Sequence, residues 1–492
     1  MNHWRNLIVV SNRLPITVET WNDEVQLNPS GGGLVTALAP ILRERGGCWV
    51  GSLGVNKNDA VLELARNWSS SEGYSIEPVF LTSAEQSTYY DGFSNEIIWP
   101  LLHGLPSRCK FGSTYWHGYG KANEKFASAV ERVWDRQDFI WVHDYHLMLV
   151  GGALRARGWR GQLGYFHHIP FPPPDIFETL PWRVEVLYAL MQFNKIGFQT
   201  SRDQLNFLAS LQSLLPASRV ARVGDRLMVW AGDRRATVGT HPISIDYDEF
   251  ANEANTSDVA TAVDAIRERA AGLQIILGID RLDYTKGICE RLMAFQTLLE
   301  RHADLRGKVT LIQAVIPSRV QIPEYSELKL RIEAFVSKIN GEFSRPGWAP
   351  IQYFHRGLSR TELLALYRAA HIAVVTPLKD GMNLVAKEFC AARTDNLGVL
   401  ILSEFAGAAQ ELKCGALLVN PHHITRLASV LHFALLMDEA EQSERMQLMR
   451  SHIRRHDVFS WSQAFLADDV VSVFPEITKL NSENNGRFLQ TS

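Results

Sequence analysis

The chain is poor in cysteine. Its 492 residues include only Cys48, Cys109, Cys289, Cys390 and Cys414, an odd number, widely spaced and with no CxxC pair. That spacing excludes a disulfide framework and the usual structural zinc sites, and it fits a reducing compartment. Blocks of like charge are also missing. Lys and Arg number 50 against 53 Asp and Glu, intermixed to a net charge of −3, so the electrostatic signature of a nucleic-acid or anionic-membrane partner is absent. No apolar run approaches a membrane span, and the first, Leu7 to Val10, is shorter than the core of a leader peptide. A cytoplasmic protein is the expectation. There is no fixed-period repeat, no low-complexity tract and no GxGxxG after the first strand-like run, which weakens a dinucleotide-dependent oxidoreductase.

What is present is alternation. Short apolar runs and amphipathic stretches follow one another nearly throughout, the pattern of βαβ units with parallel sheets. Strands are predicted at 6–10, 137–142, 162–168 and 195–200, and a hairpin within 218–243, where Gly-Asp pairs stand at 224–225 and 232–233. A polar stretch, 244–262, marks a domain junction. The pattern restarts with strands at 273–280, 309–316, 351–357, 371–377 and 398–405, and a long helical stretch at 423–455 closes the second unit. The fold class is therefore α/β, with two doubly wound Rossmann-like domains, 1–245 and 246–455. Residues 456–482 are expected to cross back onto the first domain, and 483–492 to form a disordered tail. Two such sheets leave a cleft at the carboxyl ends of their strands.

Four clusters fall at strand ends. After the first strand come Ser11-Asn12-Arg13 and then Ser30-Gly31-Gly32-Gly33, whose glycines open a helical run and permit close backbone approach to an anion or a sugar. Alone, the triplet is as well read as an ordinary turn. His143-Asp144-Tyr145-His146 and His167-His168 end two further strands, where imidazoles and a carboxylate could bind hydroxyls or move a proton. Their spacing matches no metal signature. Arg281-Leu282-Asp283-Tyr284-Thr285-Lys286 follows the 273–280 run, and Arg319 repeats the placement after the next. Two cations at one strand-to-helix turn can grip a diphosphate and stabilise charge on a departing phosphate. Last, Asp380 to Leu384 precede a helix whose free N–H groups suit a hexose or phosphate, and Glu388, one turn in, suits a ribose. We expect Arg281 and Lys286 to face the 380–388 turn across the cleft.

The motifs SNRLP (11–15), SGGGL (30–34), YYDGFSNEIIWP (89–100), HDYHL (143–147), HHIPFP (167–172), RLDYTKG (281–287) and DGMNLVAKE (380–388) resemble those of the trehalose-6-phosphate synthases, in order and over nearly the whole chain. These are retaining glycosyltransferases of the B-type fold, with two Rossmann-like domains facing across a cleft. The resemblance implies that Arg281 and Lys286 hold the donor diphosphate, Glu388 the ribose, and Asp380 with the backbone of Gly381, Met382, Asn383 and Leu384 the transferred glucose. It places Gly32 and Gly33 against the diphosphate and has His168 hydrogen-bond the donor sugar. Arg13 and Arg319, with Tyr90, would take the phosphate of glucose 6-phosphate, and Trp49, Trp99 and Asp144 would shape the acceptor pocket. Arg281, Lys286, Asp144 and His168 are then the catalytic set. The implied reaction moves glucose from UDP-glucose to glucose 6-phosphate without a metal or other cofactor. It leaves the phosphorylated product to a separate phosphatase and leaves room for a homo-oligomer.

One departure stands beside Trp49. Ser52 occupies a position where the resembling family usually has a second tryptophan. HHIPFP and LPWR (180–183) are also shared with glucosylglycerol-phosphate synthases, whose acceptor is glycerol 3-phosphate, so that acceptor is the alternative. A silent sugar-phosphate sensor on the same fold would tolerate damage to the diphosphate grip, yet Arg281, Lys286 and Glu388 are intact.

Overall fold

The computed structural model describes residues 5–467, apart from 22, 23, 30, 56–58, 225, 271 and 320. Of the sequence expectations, the tail 483–492, residues 468–482 of the crossing segment, and Ser30 lie outside the described residues.

The first unit is built on a nine-stranded sheet. In chain order its strands are β1 (Leu7–Arg13), β4 (Cys48–Ser52), β5 (Ser75–Val79), β6 (Phe139–His143), β7 (Gln162–His167), β8 (Lys195–Phe198), β9 (Arg219–Val223), β10 (Arg226–Ala231) and β11 (Arg234–Thr240), with a separate hairpin of β2 (Ile16–Trp21) and β3 (Glu24–Pro29). The spatial order is β5-β4-β1-β6-β7-β8-β11-β10-β9. All pairs are parallel except the last two. The expected hairpin is thus a three-stranded meander, and its last strand, β11, joins the parallel sheet beside β8. Strands β4 and β6 are buried along their length, and β1 over its first five residues, because helices cover a parallel sheet and neither side meets water.

The second unit has six parallel strands: β12 (Gln274–Arg281), β13 (Val309–Ile316), β14 (Ile351–His355), β15 (Ile372–Val375), β16 (Val399–Ser403) and β17 (Leu417–Val419), in the order β14-β13-β12-β15-β16-β17. Adjacent β12 and β15 therefore deliver their carboxyl ends side by side. The expected 423–455 helix is two helices, Ile424–Leu435 and Glu439–Arg455, because Asp438 caps the second through the Glu441 N–H at 2.9 Å. Between the units, residues 241–246 run without regular structure into the helix Tyr247–Glu253.

The last described helix, Val458–Leu466, lies back on the first sheet. Phe465 stacks on Trp141 at 4.7 Å between ring centroids, and Trp461 meets Trp141 at 5.0 Å and Phe166 at 5.1 Å. One apolar cluster consequently runs from Leu7, Val9 and Trp141 of the first sheet to Leu277 and Phe389 of the second unit.

Candidate active site

The acceptor-side groups converge at the carboxyl ends of β1 and β6. Arg13 ends β1, its guanidinium 5.5 Å from the centre of the Tyr90 ring. Tyr90 belongs to a π-helical segment, Ser87–Ile98, where Asn95 Nδ2 donates to the Tyr90 carbonyl at 2.7 Å and so supports the wider turn. The same segment runs into Trp99, over whose ring the Arg319 guanidinium lies at 3.9 Å and that of Arg281 at 5.9 Å. Burial alone would raise the Tyr90 phenol, but Arg319, Arg13 and Arg281 outweigh it and hold it below its ordinary value. Three guanidinium groups gathered about Tyr90 and Trp99 suit an anion.

Arg319 is itself buried. It donates to Asp283 Oδ2 at 2.9 Å, to the Tyr325 hydroxyl at 2.5 Å and to the Tyr145 hydroxyl at 3.2 Å, and its backbone is left-handed at φ 49°. Burial would push the Asp283 carboxyl up, but Arg319, Arg281 and Lys286 together hold it below its usual range. Asp144 follows β6 at φ 73°, a conformation that an aspartate tolerates better than most residues, and its Oδ1 accepts the His168 N–H at 3.1 Å. Burial pushes its carboxyl up to about 7 against those backbone bonds and the nearby arginines.

Trp49 is not part of this pocket. Strand β4 lies inside the sheet between β1 and β5, so Trp49 points into the core, fully buried, and its indole N–H donates to Ser11 Oγ at 2.8 Å. It props the strand end that carries Arg13 and does not line the acceptor pocket. Ser52, at the end of β4, is likewise buried and accepts the Gly54 N–H at 3.1 Å.

The donor-side groups sit on the second unit. Lys286 Nζ meets Asp380 Oδ2 at 2.5 Å, so the cation and the 380–388 turn are neighbours at the ends of β12 and β15 and do not face one another across the cleft. Burial would raise the Asp380 carboxyl, and Lys286 more than reverses that. Asn383, left-handed at φ 76°, donates to Asp380 Oδ2 at 3.2 Å and caps the helix Leu384–Ala392. Glu388 accepts from the Tyr367 hydroxyl at 2.8 Å, while burial raises its carboxyl.

What does face this turn is the first unit. A Cβ on Gly381 would collide with the His168 carbonyl and stand 2.9 Å from Ile169 Cα, and one on Gly33 would stand 2.8 Å from Leu384 Cδ1. The helices Gly33–Arg45, capped by Gly32, and Leu384–Ala392 thus meet at their N-termini across the cleft, with Arg281 exposed nearby. Two sets of free N–H groups and two cations suit a diphosphate. The His168 ring does not offer a free nitrogen to a sugar: Nε2 lies 3.0 Å from His143 Nδ1 and Nδ1 lies 3.2 Å from Gln199 Nε2. Its backbone carbonyl, against Gly381, is the group it presents to the turn.

Sequence reasoning missed His103, Tyr325 and Gln199, and named Tyr145 within its strand-end cluster without giving it a role. His103 Nδ1 stands 2.7 Å from the Trp99 carbonyl, its ring 4.2 Å from that indole, and burial pushes it down to about 4. Its spacing of four from Trp99 was a usable helical signal; Tyr325, far from any motif, gave none. Among the described residues no group of three or more His, Cys, Asp or Glu could hold a metal ion, and no helix is long and apolar enough to cross a membrane.

Residues 5–469 match the family model of glycosyltransferase family 20. The chain belongs to that family. It is 40% identical over 469 residues to a trehalose-6-phosphate synthase of Mycobacterium sp. (strain JLS), covering 94% of this chain and 95% of that one. It is 39% identical over 474 residues to the bifunctional trehalose-6-phosphate synthase/phosphatase of Thermoproteus tenax, of which it spans 63% of the length. Among solved structures, an α,α-trehalose-phosphate synthase (UDP-forming) from Burkholderia xenovorans in complex with glucose-6-phosphate superposes with a TM-score of 0.85 at 34% identity, covering 94% of this chain and 99% of that one. An E. coli structure bound with UDP-2-fluoro glucose gives 0.84 at 33%, with 94% and 98% covered. The family member is thus a glycosyltransferase of the B-type fold.

Proposed function

We propose that the protein transfers glucose from UDP-glucose to glucose 6-phosphate with retention, giving α,α-trehalose 6-phosphate and UDP. The observation that carries this reading is the gathering of Arg13 at the Tyr90 ring and of Arg281 and Arg319 at the Trp99 ring, a site suited to a phosphate dianion beside the helix N-termini at Gly33 and Leu384. The glucose-6-phosphate complex of the Burkholderia relative and the UDP-sugar complex of the E. coli relative support the two substrates of this reading.

The diphosphate lies between the two helix N-termini with Arg281 and Lys286, and Glu388 takes the ribose. Asp380 and the 381–384 backbone hold the glucose. An acceptor hydroxyl bonds to the anomeric carbon on the face from which the diphosphate departs. The bond from that carbon to the diphosphate breaks, and the hydroxyl proton passes to a leaving-group oxygen. The protein's part is to position both partners and stabilise the departing charge, with no metal or cofactor in the step. The product leaves phosphorylated, to be consumed by a phosphatase, and the setting is the cytoplasm.

Measuring UDP release from UDP-glucose with glucose 6-phosphate or glycerol 3-phosphate as acceptor tests the reading. Release with glucose 6-phosphate is expected. Release with glycerol 3-phosphate alone moves the protein to the glucosylglycerol-phosphate reaction, and binding without release under any donor makes it a sensor.

A further inference from the structure

Gln199 follows β8 at the carboxyl edge of the first sheet and is 2% exposed. The two ends of its amide face different partners. Oε1 accepts the backbone N–H of Ile243 at 2.9 Å, and Nε2 stands 3.2 Å from His168 Nδ1. A backbone N–H can only donate, so the atom facing Ile243 is the oxygen and the atom facing His168 is the NH₂ group. His168 Nδ1 is therefore an acceptor, and the neutral ring carries its hydrogen on Nε2. That nitrogen lies 3.0 Å from His143 Nδ1, which accepts in turn. His143 then holds its own hydrogen on Nε2, buried among the indoles of Trp141 and Trp461, whose ring centroids lie 4.5 and 6.4 Å away. Burial keeps both imidazoles neutral.

The other end of this chain of bonds reaches the donor side. Ile243 lies in the strap between β11 and the helix Tyr247–Glu253, and its carbonyl accepts from Lys387 Nζ at 2.8 Å. Lys387 immediately precedes Glu388. The strap is thus held through its N–H by the first unit and through its C=O by the second.

We propose that Gln199 is a positioning residue: its oxygen reads the interdomain strap and its amide hydrogen sets the tautomers of His168 and His143. The His168 ring so fixed holds the peptide whose N–H binds Asp144 and whose neighbouring carbonyl abuts Gly381. The effect on turnover rests on the glucosyl-transfer reading, whereas the tautomer assignment does not.

Gln199→Glu is the isosteric test. A carboxylate accepts at both ends, so His168 must carry its hydrogen on Nδ1 and His143 must donate to it. Nitrogen-15 NMR of histidine-labelled protein, assigned by comparison with His168→Asn, distinguishes protonated from unprotonated ring nitrogens. The wild type should show His168 protonated on Nε2, and Gln199→Glu the reverse. UDP release by the variant should fall about 10-fold or more while KM for glucose 6-phosphate moves less than about 3-fold, as expected of a misplaced group away from the phosphate site. Gln199→Leu, a second variant in case the charge disturbs folding, should show mixed tautomers and a similar fall. A wild-type His168 protonated on Nδ1 overturns the proposal, as does a Gln199→Glu protein with wild-type tautomers or turnover. If the wild type releases no UDP with any acceptor, the transfer reading fails and the NMR result still decides the tautomers.

Discussion

Lys286 and Asp380 bind each other in a place where a departing diphosphate would compete for the same ammonium. On the glucosyl-transfer reading, Lys286→Ala should lower kcat by about 100-fold or more, because the charge that reading has it stabilise grows only as the bond breaks; single-turnover assays with saturating UDP-glucose check this. Asp144 makes a prediction in pH. Burial pushes its carboxyl up to about 7 from an ordinary 3.8. From about pH 4 to about 7 the folded chain keeps a proton that the unfolded chain gives up, so this group erodes stability as pH rises through that window. Asp144→Asn removes the ionisation and its amide tolerates the left-handed backbone. Relative to wild type it should gain about 1 kcal/mol or more at pH 8 and nothing below pH 4, read from urea unfolding. On the glucosyl-transfer reading, which gives Asp144 to the acceptor sugar, turnover should also fall in the same variant.

At the scale of elements, the helix Leu384–Ala392 is anchored by a buried ion pair, Lys387 with Glu411 at 2.7 Å, to which His452 adds a contact at 3.3 Å. Lys387→Met should cost about 3–5 kcal/mol, because it strands a buried carboxylate, and Lys387→Met with Glu411→Leu should recover more than half. Denaturant midpoints of the three proteins decide it. Sequence patterning made the long parallel strands legible, since IILGID in β12 and LIQAVI in β13 are buried on both faces and read as continuous apolar runs. It missed β4, where CWVGS is short and its glycine and serine dilute the signal, and β5, where Pro78 sits in an edge strand. Trp49, which the resemblance assigned to the acceptor pocket, turns into the core because β4 lies inside the sheet between β1 and β5. The strand-end motifs carried most of the site because loops at carboxyl edges are where polar residues have no structural duty to an apolar core. Gln199 and Tyr325 escaped because their roles depend on partners 44 and 6 residues away that only the folded chain reveals.

Across the whole molecule, the two units share one apolar cluster through the 241–250 strap and the helix Val458–Leu466. Calorimetry should therefore show a single unfolding transition. Trp461→Ala, which empties the space against Trp141, His143 and Phe166, should cost about 3–5 kcal/mol and lower the transition without moving KM for the acceptor. Another close meeting of the halves is where Gly381 touches the His168 carbonyl with no space for even one methyl group. Nothing the size of a sugar can slip through a seam so narrow. On the glucosyl-transfer reading, a substrate that enters here parts these two backbones and lets them seat again, so the pace of turnover would be set by how fast the jaws reopen after the bond is made.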